Sequence, residues 1–204
     1  MKIYTRTGDE GRTKLYGGDP VLKDDPRVSA YGTLDELNAA LGCALALDPD
    51  SRLGLDGLRE VQADLFVLGS RLAAADPERA ESRGSIPRLE QERIAALESW
   101  IDALDEELEP LDSFVLPGGG PAGAQLHVAR TVCRRAERSI TSLLSEQPEL
   151  RLVVLPYVNR LSDLLFTLAR AVNARAGHPE DRWLPMRERP SGDSSAPDPN
   201  TDSR

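Results

Sequence analysis

Apolar residues, leucine foremost, recur at the helical period in five separate stretches of this chain, and no other feature limits its possible folds as strongly. Leu34, Leu41 and Leu45, with Val28 and Tyr31, share one face of a helix that begins near Pro26, with Asp25 as a suitable N-cap. Leu58, Val61, Leu65, Leu68 and Leu72 mark a second helix, from about Arg52 to Ala75. Leu89, Ile94, Leu97, Ile101 and Leu104 mark a third, starting near Pro87, and "DPERAESRGSIP" before it predicts a loop. Leu126, Ala129, Cys133, Ala136, Ile140 and Leu143 mark a fourth, after the turn "PGGGP". Leu161, Leu164, Leu165, Leu168 and Val172 mark a fifth, which follows Pro156 and ends at Gly177 and Pro179. Aromatic residues are only 4% of the chain, so the core must be built from Leu, Ala and Val, the material of helices rather than of a β-sandwich. Short loops between such helices predict an all-α fold, a five-helix up-and-down bundle over residues 25–178. Residues 1–24 form an irregular opening segment, too glycine-rich for a plain strand. Residues 190–204 lack apolar anchors and are expected to be a disordered acidic tail.

Charge and cysteine usage remove several functions. A net charge of −9 argues against general nucleic-acid binding, although not against a local basic pocket. Two cysteines and two histidines do not assemble a zinc site at normal spacing, and Cys43 and Cys133, among small apolar residues of two helices, are expected to be buried thiols. The N-terminus lacks an apolar signal region and no stretch approaches a membrane span, so a cytoplasmic, reducing compartment is expected.

Several polar residues stand where a bundle should be apolar. Asp35 and Asn38 fall within the stripe of the first helix, and a carboxylate there needs a partner. Arg130, Arg134 and Arg138 recur every fourth residue on the fourth helix, drifting about 40° per step, and so form one band beside the core. Arg130 is the candidate partner for Asp35, within the chain or across a subunit boundary. Glu137 lies on the same flank and can orient a neighbouring arginine, whereas Arg135 points away as solvated surface. A fixed guanidinium array suits polyphosphate through bidentate, charge-assisted bonds. The turn "PGGGP" either exposes backbone N–H groups to an anion or simply allows a sharp reversal. Phe114 reads as a loop anchor or as a contact for a ligand. Asn159, Ser162, Phe166 and Asn173 flank the leucine stripe of the fifth helix, and Asn159 can reach a base or ribose or serve as a cap. In the opening segment, Thr7, Gly8, Asp9, Gly11 and Thr13, with Arg6, Lys14 and Lys23, offer donors and positive charge in a tight loop suited to a triphosphate and its magnesium.

Four blocks, "YTRTGDEGRTKLYGG", "RVSAYGTLDELNAALG", "FVLPGGGPAGAQLHVARTVCRRAER" and "YVNRLSDLLFTLAR", together resemble the PduO-type ATP:cob(I)alamin (corrinoid) adenosyltransferases, over residues 3–175. The resemblance implies a ferritin-like five-helix bundle assembled as a homotrimer with active sites between subunits. It implies transfer of the 5′-deoxyadenosyl group of ATP to the cobalt of a reduced corrinoid, with triphosphate leaving. Carried onto this chain, ATP-binding positions are Thr5, Arg6, Thr7, Gly8, Asp9, Gly11, Thr13 and Lys23, together with Arg134, Glu137, Arg138 and Asn159. Arg134, Glu137 and Arg138 are the catalytic positions. Phe114 closes the lower face of the corrin and favours four-coordinate cobalt(II), and Phe166 also contacts the corrin. Asp35 and Arg130 form the intersubunit salt bridge. Magnesium arrives on the ATP phosphates without dedicated protein ligands. A cobalamin reductase and an adenosylcobalamin-dependent enzyme are the expected partners, with no nucleic acid and no membrane.

One position departs from the family pattern. The arginine usual three residues before the lysine is Pro20 here, so a phosphate contact is lost or comes from Arg6 or Lys14. A non-catalytic nucleotide- or corrinoid-binding module would use the same motifs, but retention of Arg134, Glu137, Arg138 and Phe114 argues for catalysis. A ferritin-like metalloprotein needs Glu-x-x-His pairs, and neither histidine follows a glutamate at that spacing.

Overall fold

Helix α1 (Pro26–Ala46) starts where its cap chemistry dictates: the Asp25 carboxylate accepts from the Arg27 N–H at 2.8 Å, and Pro26 occupies the first turn. This computed structural model describes Tyr4 and residues 6–183, so the expected tail at 190–204 lies outside the described residues. Five long helices follow the leucine stripes: α1, α2 (Leu58–Ala73), α4 (Glu92–Asp105), α5 (Pro121–Thr141) and α6 (Val154–Arg175). The stretch read as a loop holds a one-and-a-half-turn helix, α3 (Pro77–Ser82), because Asp76 caps it through the Arg79 N–H at 3.0 Å.

Two helices begin later than their stripes suggest. The Asp48 carboxylate accepts from the N–H groups of Leu53 and Leu55, at 3.0 and 3.4 Å. That holds residues 48–55 in a loop, with Gly54 at φ 77° and Leu55 buried, and α2 starts only at Leu58. Leu89 is buried from a turn ahead of α4 rather than from the helix itself. At the last helix the reverse holds: α6 starts two residues before Pro156, which its first turn tolerates.

Cross-helix hydrogen bonds give the directions. Arg27 reaches the Leu72 carbonyl, while Asn38 and Gln62 exchange side-chain-to-backbone bonds at 3.0 and 3.1 Å, so α1 and α2 run antiparallel. Arg135 pairs with Glu36 and Gln125 with the Ala40 carbonyl, which makes α5 antiparallel to α1. Asn159 meets Glu137 and Asn173 meets Gly120, so α6 returns antiparallel to α5. Arg160 with Glu98 and Arg175 with Glu107 run α4 alongside α6. The result is an up-and-down bundle with α6 at its centre: 14 of its 22 residues are buried.

By length and composition alone the Pro148–Arg175 segment is apolar enough to cross a membrane, contrary to the sequence expectation. Its apolar residues, Leu161, Leu164, Leu165 and Leu168 among them, are spent on the bundle core instead. A buried polar network crosses that core: Tyr157 donates to Asp64 at 2.7 Å, and Arg93 clamps the same carboxylate at 2.8 Å.

The opening segment is not wholly irregular. Arg12–Lys14 (β1) and Pro20–Leu22 (β2) form a short antiparallel hairpin, its glycines falling in the turns outside the paired residues. Tyr16 at its tip pairs in parallel with Ala74, its N–H donating to the Ala73 carbonyl at 2.8 Å. Arg27 of α1 donates to the Ala74 carbonyl as well. The hairpin is thus fastened to the end of the bundle where α1 begins and α2 and α5 finish.

Candidate active site

On α5 the sequence places arginine at every fourth residue, and the helix keeps that band beside α6. The Arg134 and Arg138 side chains are exposed and make no hydrogen bond or ion pair among the described residues. Glu137 accepts from the Asn159 side chain at 2.9 Å, so it holds that asparagine rather than an arginine, and Asn159 is no helix cap. Arg135, expected to be plain surface, pairs with Glu36 and ties α5 to α1.

Arg130 differs from its two neighbours. Its guanidinium lies 5.9 Å from the centre of the Phe166 ring, and its Nε is buried without a partner. Burial, and then repulsion from Arg134, lower its proton affinity. Asp35 does not pair with it in the chain. The core expectation for Asp35 also fails: Asn38 is buried, but Asp35 is exposed on a hollow of about 330 Å³ between α1 and α2, beside Tyr31 and Phe66. Residue 35 lies at the margin of the stripe, where a small rotation of the helix decides between core and solvent.

The glycine turn resolves in favour of a chain reversal. Asn173, 5% exposed, accepts from the Gly120 N–H and donates to the Gly118 carbonyl, both at 3.0 Å. The Gly120 N–H is therefore satisfied within the chain. Gly119 has φ 95°, and a Cβ at Gly119 or Gly123 would overlap the Asn173 amide. Ahead of this turn Phe114 is 79% exposed, so it does not anchor the loop in the core. Phe166 is half-buried between Arg130 and His127.

His127 escaped the sequence reading. It is 3% exposed, with its ring 6.1 Å from that of Phe166 and both ring nitrogens lacking partners. Burial first, then Arg130, hold its pKa below the ordinary histidine value, while Glu180 pulls weakly the other way. A histidine on an apolar helix face gave no signal to separate it from core filling. The two thiols divide likewise: Cys133 is buried and donates to the Val158 carbonyl at 3.2 Å, whereas Cys43, against expectation, is exposed. Burial pushes the Cys133 thiol far up, so it stays protonated.

In the opening loop, Gly8, Asp9, Gly11 and Thr13 surround one another closely. The Asp9 N–H donates to the Arg6 carbonyl, the Gly11 N–H to Gly8 and the Lys23 N–H to Gly11. A Cβ at Gly8 would stand 3.0 Å from the Lys23 Nζ, so the lysine ammonium lies over the loop backbone. Arg6 itself has φ 62° and lies 5.7 Å from the Tyr4 ring. Thr7 belongs to the same turn, and Thr5 is outside the described residues. At Pro20 the nearby guanidinium is that of Arg12, whose Nη1 reaches the Pro20 carbonyl at 3.5 Å. No hydrogen bond or ion pair joins this loop to Arg134 or Arg138 among the described residues. A cleft of about 680 Å³ between the ends of α2 and α3 contains none of these site residues. The chain alone thus holds the opening loop and the arginine strip without a bond between them among the described residues, with aromatic rings at the strip's far end.

A helical bundle with that strip defines a class, and the chain belongs to the cobalamin adenosyltransferase family, whose sequence profile matches residues 3–172. It is 47% identical over 198 residues to a corrinoid adenosyltransferase of Mycobacterium tuberculosis, covering 96% of each chain. It is 46% identical over 177 residues to the corrinoid adenosyltransferase PduO of Salmonella typhimurium, covering 86% of this chain and 51% of that one. Among solved structures, a phenylalanine-to-alanine variant of a PduO-type ATP:corrinoid adenosyltransferase from Lactobacillus reuteri, complexed with cobalamin and ATP, superposes with a TM-score of 0.79. It is 38% identical, and the match covers 89% of this chain and 99% of that one. An arginine-to-lysine variant of the same enzyme, complexed with ATP, gives a TM-score of 0.77 at 35% identity, covering 89% and 100%.

Proposed function

We propose that this chain transfers the 5′-deoxyadenosyl group of ATP to the cobalt of cob(I)alamin or a related corrinoid, releasing inorganic triphosphate. The observation that carries this reading is the strip along α5 and α6, with unpartnered Arg134 and Arg138 at one end and exposed Phe114 at the other. Family membership supports the choice of substrates.

Cobalt(I) brings its own electron pair, so the protein needs neither a nucleophile nor a general base. That pair forms the bond from cobalt to C5′. The C5′–O bond breaks, and its electrons leave on the triphosphate, where Arg134 and Arg138 take up the growing negative charge. Glu137 and Asn159, bonded to each other, hold the nucleotide end of the strip. Thr5, Arg6, Thr7, Gly8, Asp9, Gly11 and Thr13 wrap the phosphates, with Lys23 already placed over the loop. Magnesium arrives on the ATP phosphates. Phe114 and Phe166 meet the corrin, Phe114 from below, where an apolar ring rather than a ligand favours four-coordinate cobalt(II).

Loop and strip come from different copies. Asp35 lies exposed on the α1–α2 face, and Arg130 is half-buried on the α5–α6 face, with its Nε lacking a hydrogen-bond partner. A contact between two unlike faces is heterologous, the kind of contact from which a ring such as a homotrimer with active sites at its interfaces is built when the rotation closes. The half-buried guanidinium then gains a carboxylate partner. A cytoplasmic location, a cobalamin reductase that supplies reduced cobalt and an adenosylcobalamin-dependent enzyme that takes the product complete this reading.

The test is anaerobic incubation with ATP, magnesium and chemically reduced cobalamin. Appearance of the light-sensitive adenosylcobalamin spectrum with stoichiometric triphosphate is the expected result. Binding of ATP without that product would make the chain a nucleotide-binding module instead.

A further inference from the structure

Helix α2 ends without a glycine: Ala74 leaves it in an extended conformation, with ψ 132°. The carbonyls of a last helical turn have no partner within the helix and must find one outside it. Here two sources supply them. The Tyr16 N–H of the hairpin donates to the Ala73 carbonyl at 2.8 Å, and the Tyr16 carbonyl accepts from the Ala75 N–H at 3.0 Å. On either side of Ala73, the Arg27 guanidinium donates from Nε to the Leu72 carbonyl at 3.2 Å and from Nη2 to the Ala74 carbonyl. Gly18 approaches the same segment so closely that a Cβ there would stand 2.7 Å from the Ala75 Cβ.

Residues 72–75 therefore form a ledge that Arg27 holds and from which the hairpin hangs, with Ala74 fully buried in it. Among the described residues Arg27 makes no ion pair. Its charge goes instead to two backbone carbonyls at a helix C-terminus, where partial negative charge gathers. The planar guanidinium spans both acceptors, which a lysine ammonium on its flexible stem does not hold in one fixed geometry. The backbone of Arg27 is tied to the hairpin as well. Its N–H donates to the Asp25 carboxylate at 2.8 Å, and the Asp25 N–H donates to the Leu22 carbonyl at the end of β2 at 3.1 Å. One residue thus links the hairpin, the start of α1 and the end of α2.

We infer that Arg27 is a positioning residue for ATP: by fixing the ledge it fixes the hairpin, and with it the loop of Gly8, Asp9, Gly11 and Thr13 and the Lys23 ammonium that lies over that loop. The inference rests on the reading of the opening loop as the phosphate-binding segment. Arg27 acts through the ledge rather than by touching the nucleotide. The two strands are three residues long and cannot hold their own orientation on the bundle. With Leu72 and Ala74 pinned, the Ala73 carbonyl faces Tyr16 before ATP arrives, so the loop is ordered in advance and ATP binding does not carry that entropic cost. The adenosyl transfer itself takes place at the arginine strip, so the effect falls on ATP binding and not on the chemical step.

The test compares Arg27→Ala, Arg27→Lys, Gly18→Ala and Lys23→Ala in the full chain, reading KM for ATP, KM for the corrinoid, kcat at saturating ATP and backbone amide exchange. Arg27→Ala should raise KM for ATP about ten-fold, with kcat and the corrinoid KM unchanged. Amides of the hairpin should exchange faster while those of α6 keep their protection. Arg27→Lys should recover part of the loss. Gly18→Ala, which pushes the hairpin off the ledge with Arg27 intact, should reproduce the rise in KM for ATP. A wild-type KM for ATP in Arg27→Ala, beside a raised one in Lys23→Ala, would overturn the role of Arg27 alone. So would an Arg27→Ala protein in which kcat, both KM values and α6 protection deteriorate together, since that is the mark of a helix cap that merely stabilises the fold. A wild-type KM for ATP in Lys23→Ala would overturn the reading of the loop on which the inference rests.

Discussion

The contact between Gly123 and Asn173 makes the sharpest stability prediction, because one methyl group suffices to test it. Asn173 holds the turn before α5 through two hydrogen bonds of 3.0 Å, and it can do so only because Gly123 leaves room for its amide. In Gly123→Ala the new Cβ overlaps that amide, so either Asn173 leaves or α5 moves off α6. Losing the two bonds costs ~1 kcal/mol each, and the Gly120 N–H is then buried without a partner, which adds about 1–3 kcal/mol. The total is about 3–5 kcal/mol, or a fall of roughly 10 °C in Tm for a chain of this size. Asn173→Ala alone loses the same bonds and orphans the same N–H, so it should also cost about 3–5 kcal/mol. In the double variant the alanine methyl occupies space that the amide has vacated, so the double should cost little more than Asn173→Ala. Thermal melts of all four proteins at one fixed concentration measure this, since an oligomer's Tm depends on concentration. If the two single effects added to within ~0.5 kcal/mol, the steric coupling claimed here would be wrong.

Other outcomes follow from the site and the core. Arg134→Ala should lower kcat by about two to three powers of ten with the fold intact, as for loss of a donor that stabilises a leaving charge; turnover near wild type would remove Arg134 from that role. Asp35→Arg and Arg130→Asp should each shift the assembly towards monomer in analytical ultracentrifugation, and the two combined should restore it, whereas no recovery would break the proposed pairing. Tyr157→Phe removes the 2.7 Å bond to Asp64 but leaves Arg93 on that carboxylate, so a loss of about 2 kcal/mol in denaturant melts is expected, with kcat unchanged. The hydrogen bond from Arg175 holds the Glu107 carboxyl below the ordinary glutamate range. A depressed carboxylate stabilises the fold above its unfolded pKa and loses that effect as pH falls through its folded value. Glu107→Gln should therefore melt slightly lower than wild type at pH 7, and the gap should close in acid; a constant gap would exclude the ion pair as its cause.

Helix identity was legible because burial imposes a period, and leucines at that period hold α1, α2, α4, α5 and α6 in place. Helix starts were less legible. The delay of α2 to Leu58 depends on the Asp48 carboxylate turning back on Leu53 and Leu55, a contact that no window of apolar residues reveals. The hairpin in the opening segment was hidden for a similar reason: its strands are three residues long and gain their stability from Tyr16 pairing with Ala74, far along the chain. At the site, arginine spacing identified the band, but which arginine is buried depends on Phe166 and His127 across α5 and α6. Asp35 shows the limit of the helical wheel, since a residue at the stripe's margin can face solvent while Asn38, three positions on, is buried.

Helix α5 also acts as a ruler. Pro121 follows the turn that positions Phe114, and Arg134 lies 13 residues further on, a rise of about 20 Å at the α-helical pitch. Because no residue between them is free of helical geometry, the spacing between Phe114 and the Arg134 guanidinium is a fixed length. Adding or removing one residue within that span would swing the arginines about 100° around the axis and abolish the alignment of both ends at once. Such a segment can vary in its side chains but not in its length.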